Sequence, residues 1–526
     1  MEGQTAVNTV IRMITTLRMH VRNKDSRQYL RQYMSGKLIG LFFVIGFVYL
    51  TLWFIGTKAG AAVLHADAPA LKGDDIVNPL NTVWVCITAF LVFFMQAGFM
   101  MLEGGFARTR ETSNVMMECI FDTAMCGILF YAFGFAFMFG EGNSWIGYHY
   151  FFLQGVPATY GATGIGFMAF FLFQFAFADT ASTIVSGAMV GRTDFKGDII
   201  YSFFVSGLIY PIFGHWIWGP GGVLASGDFL GMNGTPMRDF AGSTVVHTVG
   251  GVLALTGAIA LGPRIGRKFK RDGGGMPPGH NMTLAALGAV ILWFGWYGFN
   301  PGSTLSAMDF EGIGRVATNT TLAACAGALV AVLWVFPRAK KWDVGISING
   351  LLAGLVAITA PCYWVSATGS IAIGAIAGAI MILAVDFTEW IRVDDPCGAF
   401  AVHGACGIFG TISIGLFATG DYGNAAAFGA KGLFYGGGTD QLVSQIIGSA
   451  FVALCVLAVG LAVMFGVKAI GMLRISEEGE LEGLDIHEHG APAYHPEPSY
   501  EGYSPLPSRS TAASAPGVPA EVSSDS

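Results

Sequence analysis

The sequence predicts an all-α polytopic membrane protein, and three observations carry that reading. The chain has 526 residues and is 53% hydrophobic but only 12% charged, about half the charge of an average soluble domain. Its apolar residues fall into long runs, each near the roughly 20 residues that cross a bilayer as a helix. Gly is abundant, at 74 residues, as expected where helices approach closely in lipid. The net charge of −7 sits mostly in loops and tails, and no nucleic-acid partner is expected. Eight cysteines occur without a Cys-x-x-Cys pair, five of them (Cys86, Cys119, Cys126, Cys325 and Cys455) in apolar segments. A thiol there behaves as a small hydrophobe, so no disulfide framework, metal site or cofactor is expected.

Residues 1–37 form a basic, cytoplasmic N-terminus. The apolar run Leu38–Ile55 opens a segment, 38–75, that reads as a signal peptide or signal-anchor helix and its linker; small residues near Ala61–Ala70 would allow cleavage. The membrane domain is expected over 76–470. Its eleven spans read as 79–104, 114–139, 160–190, 198–219, 240–262, 280–302, 316–337, 345–363, 367–388, 397–418 and 439–468. Alternate loops are basic: Arg108 and Arg110; Arg192 and Lys196; Arg264 to Arg271; Arg338 to Lys341; Arg392. The positive-inside rule puts these in the cytoplasm, so the core starts outside and ends inside. Residues 471–490 form a charged cytoplasmic tail. Residues 491–526 are rich in Pro, Ser and Ala, too poor in large apolar groups to bury a core, and read as disordered.

Two stretches carry the chemistry. DFAGSTVVHTVGG (Asp239–Gly251) and DPCGAFAVHGACG (Asp395–Gly407) each place an Asp eight positions before a His: Asp239 to His247, and Asp395 to His403. An ionisable group inside a membrane span is expensive and marks a functional site by default. The same spacing twice points to two related halves, and the loop charges make their topology inverted. Eight helical residues rise roughly 12 Å, so neither Asp is a direct partner of its own His. Asp395, before Pro396, suits a helix N-terminal cap. Asp239 suits the same role, or attracts a cation at the outer mouth. His215 reads more readily as an interfacial residue than as a third pore histidine. Trp216 and Trp218 read either as belt residues or as rings facing a vestibule, able to hold a cation by the ring face. Most of Phe171, Phe173, Phe175 and Phe177 are expected to pack. GWYGFNPGS (Trp296–Ser303) has a polar Asn300 beside a Gly/Pro break and suggests a cavity lining. Asp179 is expected to be protonated or paired inside the bundle.

At these residues the chain resembles an ammonium transporter of the Amt/Mep/Rh family, nearest to bacterial and plant-type Amt proteins. The matching blocks run in order from about Asn81 to Gly490: FLVFFMQAGFMMLEGG, YAFGFAFMFGEGN, DFAGSTVVHTVGG, LWFGWYGFNPGS, VDDPCGAFAVHGACG and LRISEEGELEGLD. The resemblance implies an eleven-helix transporter with inverted five-helix repeats, a homotrimer with one pore per subunit, in the plasma membrane for nitrogen uptake, and not an enzyme. It implies that His247 and His403 are the twin histidines of the pore, with Phe177 and Phe299 as stacked gate rings and Phe173 beside them. Trp218 and Ser303 match the external recruitment site, which Phe177 closes below. Asp239 matches an acid needed for transport. Residues 474–490 match a regulatory tail that packs on a neighbouring subunit and offers a site for a cytoplasmic PII-type protein. Three departures stand out: His487 replaces a regulatory Thr, Gly191 replaces the acid of an Ala-Glu-Arg turn, and Asp179 is unusual at its position.

The expected mechanism is recruitment of the ammonium ion, deprotonation, and conduction of ammonia past the twin histidines, with or without a relayed proton. One alternative is an ammonium sensor signalling through the tail, although no output domain is read after it. A second is another substrate, such as carbon dioxide or methylamine. The third, a membrane metalloenzyme, lacks the ligand spacing that such chemistry needs.

Overall fold

The structure, a computed structural model, describes residues 73–422 and 429–494. The expected N-terminus 1–37, the run 38–55 and residues 495–526 lie outside the described residues. Among the described residues the chain forms a helical bundle. Its helices are α1 (Gly73–Phe106), α2 (Thr112–Phe139), α3 (Phe167–Gly187), α4 (Phe195–Trp218), α5 (Ser243–Leu261), α6 (Met282–Gly302), α7 (Phe310–Ala339), α8 (Val344–Thr359), α9 (Ala367–Trp390), α10 (Phe400–Phe417) and α11 (Asp440–Ala469). Ten of these are long and apolar enough to cross a membrane. The expected span 345–363 falls on α8, which has 16 residues. It rises about 24 Å, short of the roughly 30 Å hydrocarbon core. Two short helices, α12 (Glu477–Glu482) and α13 (Leu484–His489), form the tail.

One boundary is corrected. The expected span 160–190 begins at Phe167 because Thr159–Tyr160 and Ile165–Gly166 pair as a small antiparallel hairpin. Its turn contains Gly161 and Gly164, both at positive φ, a conformation that side chains resist.

The two Asp/His stretches fold alike. Gly242 and Gly398, each three residues after the Asp, adopt positive φ (115° and 73°). A single π-helical turn follows in each, Ser243–Thr248 and Phe400–Ala405, and each contains the histidine. Such turns inside α-helices concentrate at functional sites. The helices then cross backbone against backbone. A Cβ at Gly251 would lie 2.1 Å from the Gly404 nitrogen, and one at Gly407 would lie 2.5 Å from the Ser243 carbonyl. Each half therefore sets a glycine four residues past its own histidine against the π-turn of the other half. That close approach puts His247 beside His403.

A buried ion network ties the loops at one end of the bundle. Asp394 accepts from Arg264 Nε (2.8 Å) and Nη2 (2.9 Å) and from Arg267 Nε (3.1 Å). Arg267 also pairs with Glu389, and Arg192 Nη2 donates to the Asp394 carbonyl at 2.6 Å. Burial raises the Asp394 carboxyl, but the Arg264 hydrogen bonds and the Arg192 and Arg264 charges outweigh it and hold the group well below the usual range. The tail docks on the same end. Asp485 Oδ1 accepts from the Asn114 N–H at the start of α2 (2.9 Å), and Glu480 Oε1 accepts from the Ile265 N–H (2.6 Å). Arg474 bonds the Leu261 and Pro263 carbonyls and Glu480. The acid that the sequence lacks at Gly191 is supplied in space by Glu111, whose carboxylate would lie 2.6 Å from a Cβ there.

Candidate functional site

At the opposite end of α4 a vestibule of about 670 Å³ opens into the bundle, lined by Phe173, Gln174, Phe177, Trp218, Asp239 and Ser303 among others. Trp218 is fixed by its indole N–H, which donates to the Asp239 carbonyl at 2.7 Å. Its ring meets Phe177 edge-on at 6.0 Å. Ser303 ends α6, and its hydroxyl donates to the Phe299 carbonyl (2.9 Å). The Ser303 lone pairs are left free to accept from a ligand.

The phenyl groups close the vestibule floor. Phe177 stacks on Phe299, with centroids 3.9 Å apart and planes 20° off parallel, and Phe173 packs 4.6 Å from Phe177. Residues 173 and 177 share this face because four residues is one helical turn. Phe171 and Phe175 pack elsewhere, against Phe130 and Phe93.

Beyond the stack lies the histidine pair. Phe299 stacks on His247 at 5.5 Å, and His247 Nδ1 lies 3.2 Å from His403 Nδ1. One of these nitrogens donates and the other accepts, so the two rings hold opposite tautomers. His247 Nε2 is buried without a partner. Trp296 stacks on His247 at 5.1 Å and is anchored by its N–H to Thr359 (2.9 Å). Sequence reasoning missed Trp296, although it stands in the stretch singled out for its Gly/Pro break. Of the stretch expected to line a cavity, Ser303 borders the vestibule, while Asn300 is fully buried and donates to Thr320 Oγ1 at 3.0 Å.

Asp239 and Asp395 both cap their helices. Asp239 Oδ1 accepts from the Gly242 and Ser243 N–H groups (2.7 and 3.0 Å), and Oδ2 from those of Thr244 and Val245 (2.8 and 2.9 Å). Burial raises this carboxyl while the four N–H groups pull it down. Asp395 accepts from Ala399 and Phe400 (2.9 and 3.0 Å), and burial pushes it up to about 6 against those bonds. Asp239 borders the vestibule; Asp395 stands apart from it, in the loop that holds the Asp394 network.

His215 differs from its expected interfacial placement. It is fully buried, with Nδ1 2.9 Å from the Met138 carbonyl and Nε2 2.8 Å from that of Asn143; it clamps the loop after α2. Asp179 is buried beside Thr123 and Gln96 and forms no ion pair among the described residues. No group of three or more His, Cys, Asp or Glu among the described residues could hold a metal ion.

The fold and this set of groups define a multi-pass membrane protein whose bundle holds an aromatic vestibule, a stacked phenyl floor and, behind it, a buried histidine pair. Residues 83–494 match the model of the Ammonium Transporter Family, and the chain belongs to that family, one of transporters rather than enzymes. Ammonium transporter Amt2 of Archaeoglobus fulgidus is 44% identical over 430 residues, covering 79% of this chain and 88% of the relative. Ammonium transporter 1 member 3 of Solanum lycopersicum is 36% identical over 443 residues, 80% of this chain and 94% of the relative. Among solved structures, one described as a sensor Amt protein superposes with a TM-score of 0.71 at 35% identity, covering 79% of this chain and 99% of its own. Mep2 of Candida albicans superposes at 0.69 and 26% identity, over 78% and 89%.

Proposed function

We propose that this protein transports ammonium across the plasma membrane by recruiting the ion at the vestibule, deprotonating it, and passing ammonia along the histidine pair. The observation that carries the reading is an unbroken run of contacts from an aromatic vestibule through a closed phenyl stack to a buried His247–His403 pair joined through Nδ1. Moving an unpaired ion into an apolar passage costs several kcal/mol. Ring-face attraction returns up to about 2 kcal/mol. The ion therefore gathers at Trp218, Phe173 and Phe177, while the neutral base crosses Phe177 and Phe299. Uptake of a proton at one ring's Nε2, transfer of the shared proton across the Nδ1–Nδ1 contact and loss of a proton from the other ring's Nε2 together convert one tautomer arrangement into the other and give the released proton a route. Asp239 and Asp395 act by holding the two π-turns that carry the histidines.

Loop charge orients the vestibule outward, with the core N-terminus outside and the docked tail in the cytoplasm. By family analogy the subunit works as a homotrimer, and the tail is where a PII-type protein would bind. The tail's docking onto the starts of α2 and the α5–α6 loop favours a second reading, in which occupancy of the path is reported through residues 474–490. Proteolysis of the tail with and without ammonium tests it: unchanged cleavage rates would exclude such reporting.

Uptake tests the main reading. In proteoliposomes, ammonium pulses should drive a luminal pH change or current that potassium pulses do not. Potassium can use the aromatic rings but cannot donate a hydrogen bond to Ser303. S303A should therefore raise the half-saturating ammonium concentration about tenfold, the worth of one hydrogen bond to a charged group at about 1.5 kcal/mol. An unchanged value would remove Ser303 from the recruitment site.

A further inference from the structure

His403 borders a second cavity that none of Phe177, His247 and Phe299 lines. Its volume is about 20 Å³, and roughly 10–15 Å³ is enough to hold one water. It takes a single molecule of the size of water, ammonia or ammonium. Leu102, Ile184 and Leu352 supply apolar walls, and the polar lining is Glu103, Asn349 and His403.

Glu103 and Asn349 each have an acceptor to spare, and His403 has a second ring nitrogen. Glu103 Oε2 faces the Ser186 hydroxyl at 3.0 Å, but that hydroxyl has one hydrogen and also faces the Thr183 carbonyl at 2.8 Å. Glu103 Oε1 would lie 3.5 Å from a Cβ on Gly187, another lining residue. Asn349 donates through Nδ2 to the Cys397 carbonyl (3.1 Å), while its Oδ1 is buried without a partner. His403 spends Nδ1 on His247, which leaves Nε2. No Lys or Arg lines the cavity. A carboxyl and an amide with oxygens to spare, and a ring nitrogen that accepts once its proton has left, belong to residues that line one small void, and they suit an occupant that only donates, such as the ammonium cation. A carboxyl anchored only to Ser186 would need neither the void nor the unpartnered amide oxygen.

We propose that Glu103 is a further proton-transfer residue of the path, which takes the proton delivered through His403 and returns it to ammonia in this cavity. The inference rests on the transport reading above. In the first step the shared proton passes from His247 Nδ1 to His403 Nδ1 while the His403 Nε2–H bond breaks and a Glu103 O–H bond forms. In the second that O–H bond breaks as an N–H bond forms on ammonia. Ammonium is then held by the regenerated carboxylate, Asn349 Oδ1 and His403 until it leaves. No electrons change hands, and proton count and charge balance at each step.

The test compares wild type, E103Q, E103D and N349A in liposomes, recording ammonium-evoked current and, separately, luminal alkalinisation by ammonia. E103Q should lose at least tenfold in current while ammonia still alkalinises the lumen. E103D, which keeps the carboxyl, should recover most of the current, and N349A should lose several-fold. A collapsed pore would lose both signals, so the split between them reads proton transfer and not architecture. Equal current in wild type and E103Q overturns the proposal. So does loss of both signals in E103Q and E103D alike. If E103Q does not fold, E103D and N349A decide: wild-type current in N349A together with loss of both signals in E103D overturns it. Absence of any ammonium response in wild type would instead count against the transport reading itself.

Discussion

Substitution of Asp394 by Ala is expected to destabilise the folded protein by about 3–5 kcal/mol, the cost of removing one partner from a buried ion pair. Arg264 and Arg267 are 6% and 1% exposed at their side chains and both point at this one carboxylate. Glu389 would still face Arg267, but Arg264 would keep its charge with no counter-ion in place. The loss should appear as a lower unfolding temperature in detergent and faster tryptic cleavage after Arg264 and Arg267. High salt should rescue little, because buried pairs are poorly screened. D394N keeps the shape but loses the charge, so it should fall between wild type and D394A. A change below about 1 kcal/mol would mean that the cluster is solvated like an ordinary surface pair.

Asp239→Ala should both abolish transport and cost about 2–4 kcal/mol. Four backbone N–H groups at a buried helix start lose their acceptors together. Each unmet buried donor costs about 1–3 kcal/mol, and water entering from the vestibule offsets part of the total. The π-turn behind them carries His247, so a loosened cap misplaces the histidine, and current should fall at least tenfold. D239N retains one good acceptor oxygen and should recover part of the stability. If Asp239 instead served as a direct cation ligand, D239A would reduce ammonium affinity with no change in unfolding temperature. Paired measurements of unfolding and current separate the two.

Much of this architecture is legible in the residues because membrane spans are written as apolar length. All eleven expected spans meet a helix within a few residues, except where the hairpin at Thr159–Gly166 delays the start of α3 and where α8 falls short. The repeated Asp/His spacing led to the histidine pair because burying two ionisable rings at equal intervals is too costly to be incidental. What could not be read was lateral proximity. Nothing in local sequence says that Glu103 on α1, Asn349 on α8 and His403 on α10 border one cavity, or that Trp296 covers His247. His215 was misplaced for the same reason: its two carbonyl partners, at Met138 and Asn143, are more than 70 residues away in sequence. Asp239 was left between two roles because a carboxylate near a span end suits a cap and a cation site equally, and only the direction of four N–H groups decides.

The central claim is that the His247–His403 pair handles the proton taken from ammonium. Purified protein in liposomes on a solid-supported membrane should give a current on ammonium pulses and none on potassium pulses. The H247A/H403A double variant should lose the ammonium-specific current while remaining folded. An undiminished ammonium current in the double variant, still selective against potassium, would contradict the account.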